Sequence, residues 1–513
     1  MMLVVQPQNY YKAATMVFGF MFRSQSLAFY AALFMIGGCA DTELGVVLPP
    51  KGAFYFPTAI APLPSSITGI GQDMALVSNA NFDRRFGSGW LSLVSVASLL
   101  NAQKPADAVI KQLNIPAIGG PIALDTTQSL SDNGRILAFI GHRGSYLISI
   151  IEITKVNDEL NISCGNPDAV EGLDSNERHT DCDRQHLYAL DDETNIAKFN
   201  EEMNKDNFID PYALATYVDH NSGQSKLAVS FVSHLSESLN RLLIFNINNQ
   251  ANETDAFLIP EHAIILGEAG VGSLAIRPPV AGCNLSEPGC DTYIAASSRF
   301  YSTYSEYASI FAVTIAPDGT VRRTIHDLAA EIGGYDAGGI IFSPDGSHAY
   351  VATNSQDNLI ALDTSLTSRA IIDDYSYSYV LEPNYTITQV LPLMGTPTNL
   401  INFTGNNPLG STNEEIEYIA LTSFTANQID IIATIRGALI SVAQIHGSQT
   451  AENYIGLRPL ALANISTNNE ILLLVGTLYD HGVTTIRIPR DNVAFASVIN
   501  RVRTTEFGEV STK

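Results

Sequence analysis

The sequence predicts an all-β chain, and three observations say so. A short pattern of three apolar strands recurs seven times, polar Gly- and Pro-containing turns separate the strands, and no long helical period occurs outside Asn195–Asn204. The clearest copy reads Gly338-Gly339-Ile340-Ile341-Phe342, then Ser343-Pro344-Asp345-Gly346-Ser347, then His348-Ala349-Tyr350-Val351-Ala352-Thr353-Asn354, and closes with Asn358-Leu359-Ile360-Ala361-Leu362-Asp363. Pro344 presets the turn's φ and Gly346 supplies its permissive corner. His348 falls at the junction of turn and strand, where a structural role is expected.

The first strands of the copies begin at 57, 121, 211, 272, 339, 397 and 459, at intervals of 64, 90, 61, 67, 58 and 62 residues. Second strands follow at Met74–Val77, Ile136–Ile140, Leu227–Val232, Thr292–Ala296, Ala349–Thr353, Tyr418–Thr422 and Ile471–Val475. Third strands follow at Leu91–Val96, Tyr146–Ile153, Leu242–Ile247, Ser309–Val313, Leu359–Leu362, Ile429–Ala433 and Thr484–Ile488. Fourth strands are fainter, as at Val109–Ile115 and Tyr385–Leu391. A small sheet that is apolar on both faces must stack on neighbours to bury them, and seven such units close radially. The expected architecture is a seven-bladed β-propeller of four-stranded antiparallel blades over 54–508. Either Gly45–Leu48 or Ala494–Arg503 supplies the outer strand of the last blade.

The run Phe342-Ser343-Pro344-Asp345-Gly346 through Tyr350-Val351-Ala352-Thr353-Asn354 resembles the YVTN-type repeat of bacterial seven-bladed propellers, a group overlapping the lactonase-like propellers. The resemblance implies the propeller fold and, as one option, a lactone-opening activity in its channel. It carries over no catalytic residue.

Ahead of the repeats, Met21–Cys39 has the layout of an export signal: Arg23, an apolar run Leu27–Ile36, then Gly37-Gly38-Cys39. The run is shorter than the roughly 20 apolar residues that span a bilayer. Ile36-Gly37-Gly38-Cys39 resembles the lipobox of bacterial lipoproteins, which implies acylation of Cys39 as the first mature residue. Ala40, where inner-membrane lipoproteins often carry Asp, points to the outer membrane. The expected organisation is a signal peptide over 1–38, with translation starting at Met21 or an unusually long n-region, and a lipidated tether over 39–53.

The 513 residues carry 28 Lys and Arg against 52 Asp and Glu, a formal charge of −24. Loss of 1–38 removes Lys12 and Arg23 and no acid, which deepens the charge to −26. That excludes a protein built on nucleic-acid phosphates. It also leaves membrane attachment to the lipid rather than to surface charge. With 46 % apolar and 16 % charged residues the chain is no disordered polyanion. A lone Trp90 excludes propellers that repeat a tryptophan in every blade, the quinone-cofactor dehydrogenases among them.

Apart from Cys39 the cysteines are Cys164, Cys182, Cys283 and Cys290, an even number in an exported chain. Two disulfides are expected, most simply Cys164–Cys182 and Cys283–Cys290, although three pairings exist. The wide interval between the second and third copies holds an insertion, 156–207, with fourteen acids and four bases. It offers carboxylates for Ca²⁺ without EF-hand spacing. Cys164, His179, Cys182 and His186 have a zinc-compatible composition that excludes the disulfide. No other cofactor is expected. Two tyrosine clusters, Tyr301, Tyr304 and Tyr307, then Tyr375, Tyr377 and Tyr379, combine with serines as adaptable recognition surfaces do; blade packing or a decorated loop is their structural alternative.

No Gly-x-Ser-x-Gly elbow, His-Glu-x-x-His motif, phosphate loop or dinucleotide fingerprint occurs. The sequence therefore favours a non-enzymatic envelope lipoprotein whose propeller binds a protein or glycan partner, with a lactonase-like hydrolase as the alternative.

Overall fold

A computed structural model describes residues 48–504 apart from 84, 117, 128–129, 131–133, 166–179, 191, 193–194, 196, 200–209, 220–221, 232–239, 252–254, 268–269, 281–289, 300–309, 329–335, 355, 374–375, 408–413, 436, 447–454 and 467–469. It is a seven-bladed β-propeller. Blade 1 is β1 (Pro57–Leu63), β2 (Met74–Asn79), β3 (Gly89–Ser95) and β4 (Val109–Ile115). Blade 2 is β5 (Ile118–Asp125), β6 (Ile136–Arg143), β7 (Leu147–Val156) and β8 (Glu159–Ser163), with β9 (Leu187–Ala189) also paired to β7. Blade 3 is β10 (Pro211–Val218), β11 (Ser225–Phe231), β12 (Asn240–Ile247) and β13 (Leu258–Gly267). Blade 4 is β14 (Val271–Ile276), β15 (Thr292–Ser298), β16 (Ile310–Ile315) and β17 (Val321–His326).

Blade 5 is β18 (Ala337–Phe342), β19 (His348–Thr353), β20 (Asn358–Asp363) and β23 (Thr386–Pro392), with a separate hairpin of β21 (Leu366–Asp373) and β22 (Ser376–Pro383) inserted before its last strand. Blade 6 is β24 (Pro397–Asn406), β25 (Glu415–Ser423), β26 (Gln428–Ile435) and β27 (Ala438–His446). Blade 7 is β28 (Pro459–Ser466), β29 (Glu470–Thr477), β30 (Gly482–Pro489) and β31 (Ser497–Arg503). The outer strand of blade 7 thus comes from the C-terminal candidate, and every blade is one continuous stretch of chain.

Alternation dictates the packing. Along β6, Ile136, Ala138 and Ile140 face blade 1 while Leu137 and Phe139 face blade 3. Because both faces of a middle strand are covered, its sequence reads as a near-continuous apolar run. The buried apolar side chains of the described residues form seven clusters, one for each contact between neighbouring blades. Truncating a fully buried member such as Phe139 costs about 3–5 kcal/mol. In the Ser343–Ser347 turn, the Gly346 amide donates to the Ser343 carbonyl at 2.9 Å, and Gly346 takes φ 69°.

Among the described residues no strand is exchanged where blade 7 meets blade 1. Phe54 is fully buried in that seam, and the Thr504 hydroxyl accepts from the Phe54 amide at 3.0 Å and donates to its carbonyl at 2.9 Å. The Asn500 side-chain amide donates to the Leu99 and Ala102 carbonyls at 2.8 and 2.9 Å. The Trp90 indole donates to the Ala53 carbonyl at 3.0 Å, and the Phe56 amide donates to His481 Nδ1 at 3.2 Å.

Blade 2 departs most from expectation. Glu159–Ser163, inside the expected insertion, is blade, and β9 continues the same outer edge along Ser149, Ile148 and Leu147. The outer strand is therefore split in two, and the Cys164–Cys182 disulfide joins the pieces.

Candidate functional site

All seven inner strands begin on one face of the propeller, and each carries a register shift at its first residues. A β-bulge leaves a residue unpaired and re-aims its side chain. Here the bulged residues are Thr58, Gly120 with Pro121, Tyr212, Gly272, Gly338, Thr398 with Asn399, and Leu460, and all of them line one cavity of about 320 Å³ at the mouth of the central channel. Glycine is required where backbones crowd: a Cβ on Gly120 would sit 2.5 Å from the Gly141 carbonyl oxygen of the same blade, and one on Gly272 2.9 Å from the Ala337 carbonyl oxygen of the next. These glycines leave Tyr212 as the one large side chain of the bulge ring besides Leu460.

Tyr212 lies between two guanidiniums. Arg143, the last residue of β6, stacks over its ring at 4.4 Å, and Arg299, just past β15, stacks at 4.9 Å while donating to its hydroxyl. Arg143 is aimed by its Nε, which donates to Asp210 Oδ1 at 2.6 Å. Asp210 itself sits at φ 68° immediately before β10, and its carboxylate also accepts from the Gly144 amide at 3.3 Å. With Nε engaged, the Nη1 and Nη2 atoms of Arg143 have no hydrogen-bond partner among the described residues, and the side chain lines the cavity. That is the geometry of a fork for a planar anion.

Farther round the mouth, Asp336 occupies the position before β18 that Asp210 occupies before β10, also at positive φ. Burial pushes its carboxyl above the usual carboxylate range, against the Asn354 amide, which donates at 3.3 Å, and the nearby Arg299. The Oδ1 atoms of Asp336 and Asn354 are buried and have no hydrogen-bond partner among the described residues.

The opposite half of the mouth exposes several large apolar side chains among polar and charged ones. Phe82, Leu457, Tyr479 and Met394 are 38 %, 38 %, 57 % and 65 % exposed, in the loops of blades 1, 7, 7 and 6 on this same face. Phe56 bridges Phe82 (5.6 Å) and His481 (4.5 Å) edge to face. Arg458 lies over Phe424 and Tyr479 at 4.9 and 6.0 Å.

A second polar cluster lies at the blade 2–3 seam. His186 Nδ1 is 2.7 Å from Asp183 Oδ1 and its Nε2 is 3.0 Å from Glu152 Oε1, and Arg135 Nη1 is 3.2 Å from the same Glu152 oxygen. Arg135 Nε crosses to blade 3, donating to the Asn249 carbonyl at 3.0 Å. Burial opposes the imidazolium, yet the two carboxylates together raise the His186 pKa to about 9. Two acids and one arginine balance only when His186 is charged.

The sequence-derived candidates distribute unevenly. Cys164 and Cys182 are joined, so no thiolate is available to zinc, and His186 is held by acids instead. Cys290 is disulfide-bonded. Cys39, Cys283, His179, Tyr301, Tyr304, Tyr307 and Tyr375 lie outside the described residues. Tyr377 and Tyr379 lie on β22, in the hairpin that forms its own sheet and supplies no residue to the cavity lining, and Tyr379 is 71 % exposed. Among the described residues no group of three or more His, Cys, Asp or Glu is placed to hold a metal ion, and no helix is long and apolar enough to cross a membrane. His348 starts β19, with its Nδ1 2.8 Å from the Ser347 hydroxyl.

Arg143, Asp210, Tyr212, Arg299, Asp336 and Asn354 escaped the sequence reading. Their signal was their phase in the repeat, either side of a first-strand start or just past a second strand, rather than any linear motif.

No family model matches the chain, and no curated protein matches it. Among solved structures it is similar to hydrazine synthase of Kuenenia stuttgartiensis (11 % identity over 87 % of this chain and 99 % of that one, TM-score 0.45) and to a protein from Lactobacillus plantarum (10 %, 84 % and 96 %, 0.46). It is also similar to a putative 6-phosphogluconolactonase of Bacteroides fragilis (14 %, 80 % and 87 %, 0.41). These are likenesses of fold.

Proposed function

We propose that the chain is an outer-membrane lipoprotein, held through Cys39, whose propeller binds a protein or glycan partner at the channel mouth without converting it. The observation that carries the binding is the bulge ring: seven blades turn their first residues inward, and the largest polar side chain among them, Tyr212, is fixed between two arginines. Such a preformed concavity with a few oriented polar groups suits recognition. Arg143 is anchored by a carboxylate and Arg299 by a phenol, an arrangement that orients charge but pairs no nucleophile with a base.

The anchor rests on Ile36-Gly37-Gly38-Cys39. Metabolic labelling with a palmitate analogue tests it: label on the native chain and none on Cys39→Ala is expected, and equal labelling removes the lipid from the proposal. Pull-down from solubilised membranes is expected to recover a stoichiometric partner that Tyr212→Ala loses.

A second reading, opening of a lactone in the channel, draws on Asp336, whose raised pKa suits general acid–base work. Turnover over a lactone panel that Asp336→Asn abolishes would establish that reading in place of the first.

A further inference from the structure

The channel mouth joins two chemistries that no small polar ligand uses together. On one side is the Arg143 fork, aimed into the cavity with both terminal nitrogens available among the described residues. On the other, a band of exposed apolar side chains runs from Phe82, which lines the same cavity, past Phe56 and His481 to Tyr479 and Leu457. The Tyr479 amide donates to the Leu457 carbonyl at 3.3 Å, and the Arg458 guanidinium lies over both Tyr479 and Phe424, so the band reaches blade 6 at Phe424; Met394 is exposed in the link that leads into that blade.

We propose that this mouth captures the C-terminus of a partner polypeptide, its terminal carboxylate on Arg143 and its preceding apolar residues along Phe82, Tyr479, Leu457 and Met394. The proposal rests on the binding-platform reading above and names its ligand. Three observations select this occupant. The fork complements a planar carboxylate, with two parallel N–H···O bonds. The band crosses three blades and so outruns any ligand contained in about 320 Å³, which calls for a chain molecule. Thr58, Thr398 and Asn399 line the cavity between fork and band, and their polar side chains suit the amides of a peptide rather than an acyl chain.

The test uses the full chain in detergent and a fluorescein-labelled peptide ending Leu-Ala-Val-Leu, prepared as the free acid and as the C-terminal amide, read by fluorescence anisotropy. The acid is expected to bind at least tenfold more tightly than the amide. Arg143→Gln is expected to erase that ratio, and Phe82→Ser to weaken both forms equally. Arg143→Lys, which keeps the charge beside Asp210 but loses the fork, is expected to retain only part of the ratio. Equal binding of acid and amide by the unsubstituted chain overturns the proposal, as does binding of neither, and both comparisons stand whether or not a variant folds. Failure here without lactone turnover leaves the platform reading in place, whereas turnover by the unsubstituted chain sinks that reading itself.

Discussion

The seam between blades 7 and 1 and the seam between blades 2 and 3 do the same job with different chemistry. Where the ring closes, neutral groups hold the join: the Thr504 hydroxyl against Phe54, the Asn500 amide against two carbonyls, and an indole against Ala53. Between blades 2 and 3, an arginine, a histidine and two carboxylates are packed beside Phe257, with the His186 ring centroid 5.0 Å and the Arg135 guanidinium 4.9 Å from that ring. Neutral bonds fail one at a time and cheaply. A partly buried ionic set fails all together, because removing one member strands the others.

The largest expected effect breaks the ionic seam. Glu152→Ala leaves Arg135 and the imidazolium of His186 short of a counter-charge. It is expected to cost about 3–5 kcal/mol in denaturant melts, toward the lower figure because the Glu152 side chain is 20 % exposed. Next is the staple on the same blade. Cys164→Ser with Cys182→Ser opens a loop with a sequence separation of 18 and is expected to cost about 3 kcal/mol, measured against the native chain under non-reducing conditions.

The third prediction separates the seams by pH. The His186 pKa is raised in the fold to about 9, so its contribution is complete below its ordinary value near 6.5 and is lost as pH rises through about 9. The Glu152 carboxyl is shifted down, chiefly by its hydrogen bond to His186, so its contribution is lost in acid instead. The melting temperature of the native chain relative to His186→Gln is expected to converge between pH 6.5 and 9.5; a constant gap would remove the charged histidine from the account. The smallest effect belongs to the closure. Thr504→Ala is expected to cost about 1 kcal/mol with no dependence on pH over that range.

The same contrast explains what was legible. Strands buried on both faces announce themselves: Ile136–Ile140 and Ile471–Val475 are apolar runs because each side chain meets a neighbouring blade. Outer strands have half that constraint. Glu159–Ser163 alternates exposed and buried residues over five positions, too short and too polar to separate from the acidic loop beside it. The local disulfide was legible because Cys164 and Cys182 are close in sequence and an even number of cysteines remains beside Cys39. The split outer strand that it joins was not. The channel mouth was illegible for a different reason. Thr58, Tyr212, Gly272 and Leu460 share a backbone role and no side-chain chemistry, and the Arg143–Tyr212–Arg299 stack draws one residue from each of three blades.

Because no strand of one blade is supplied by another, with the two ends of the described chain meeting at Phe54 and Thr504, the point at which threading of the sheets begins is arbitrary to the fold. Circular permutants that join those ends and cut any link between adjacent sheets should rebuild the same wheel. The position of a tether or a fused reporter around the rim then becomes a free design variable.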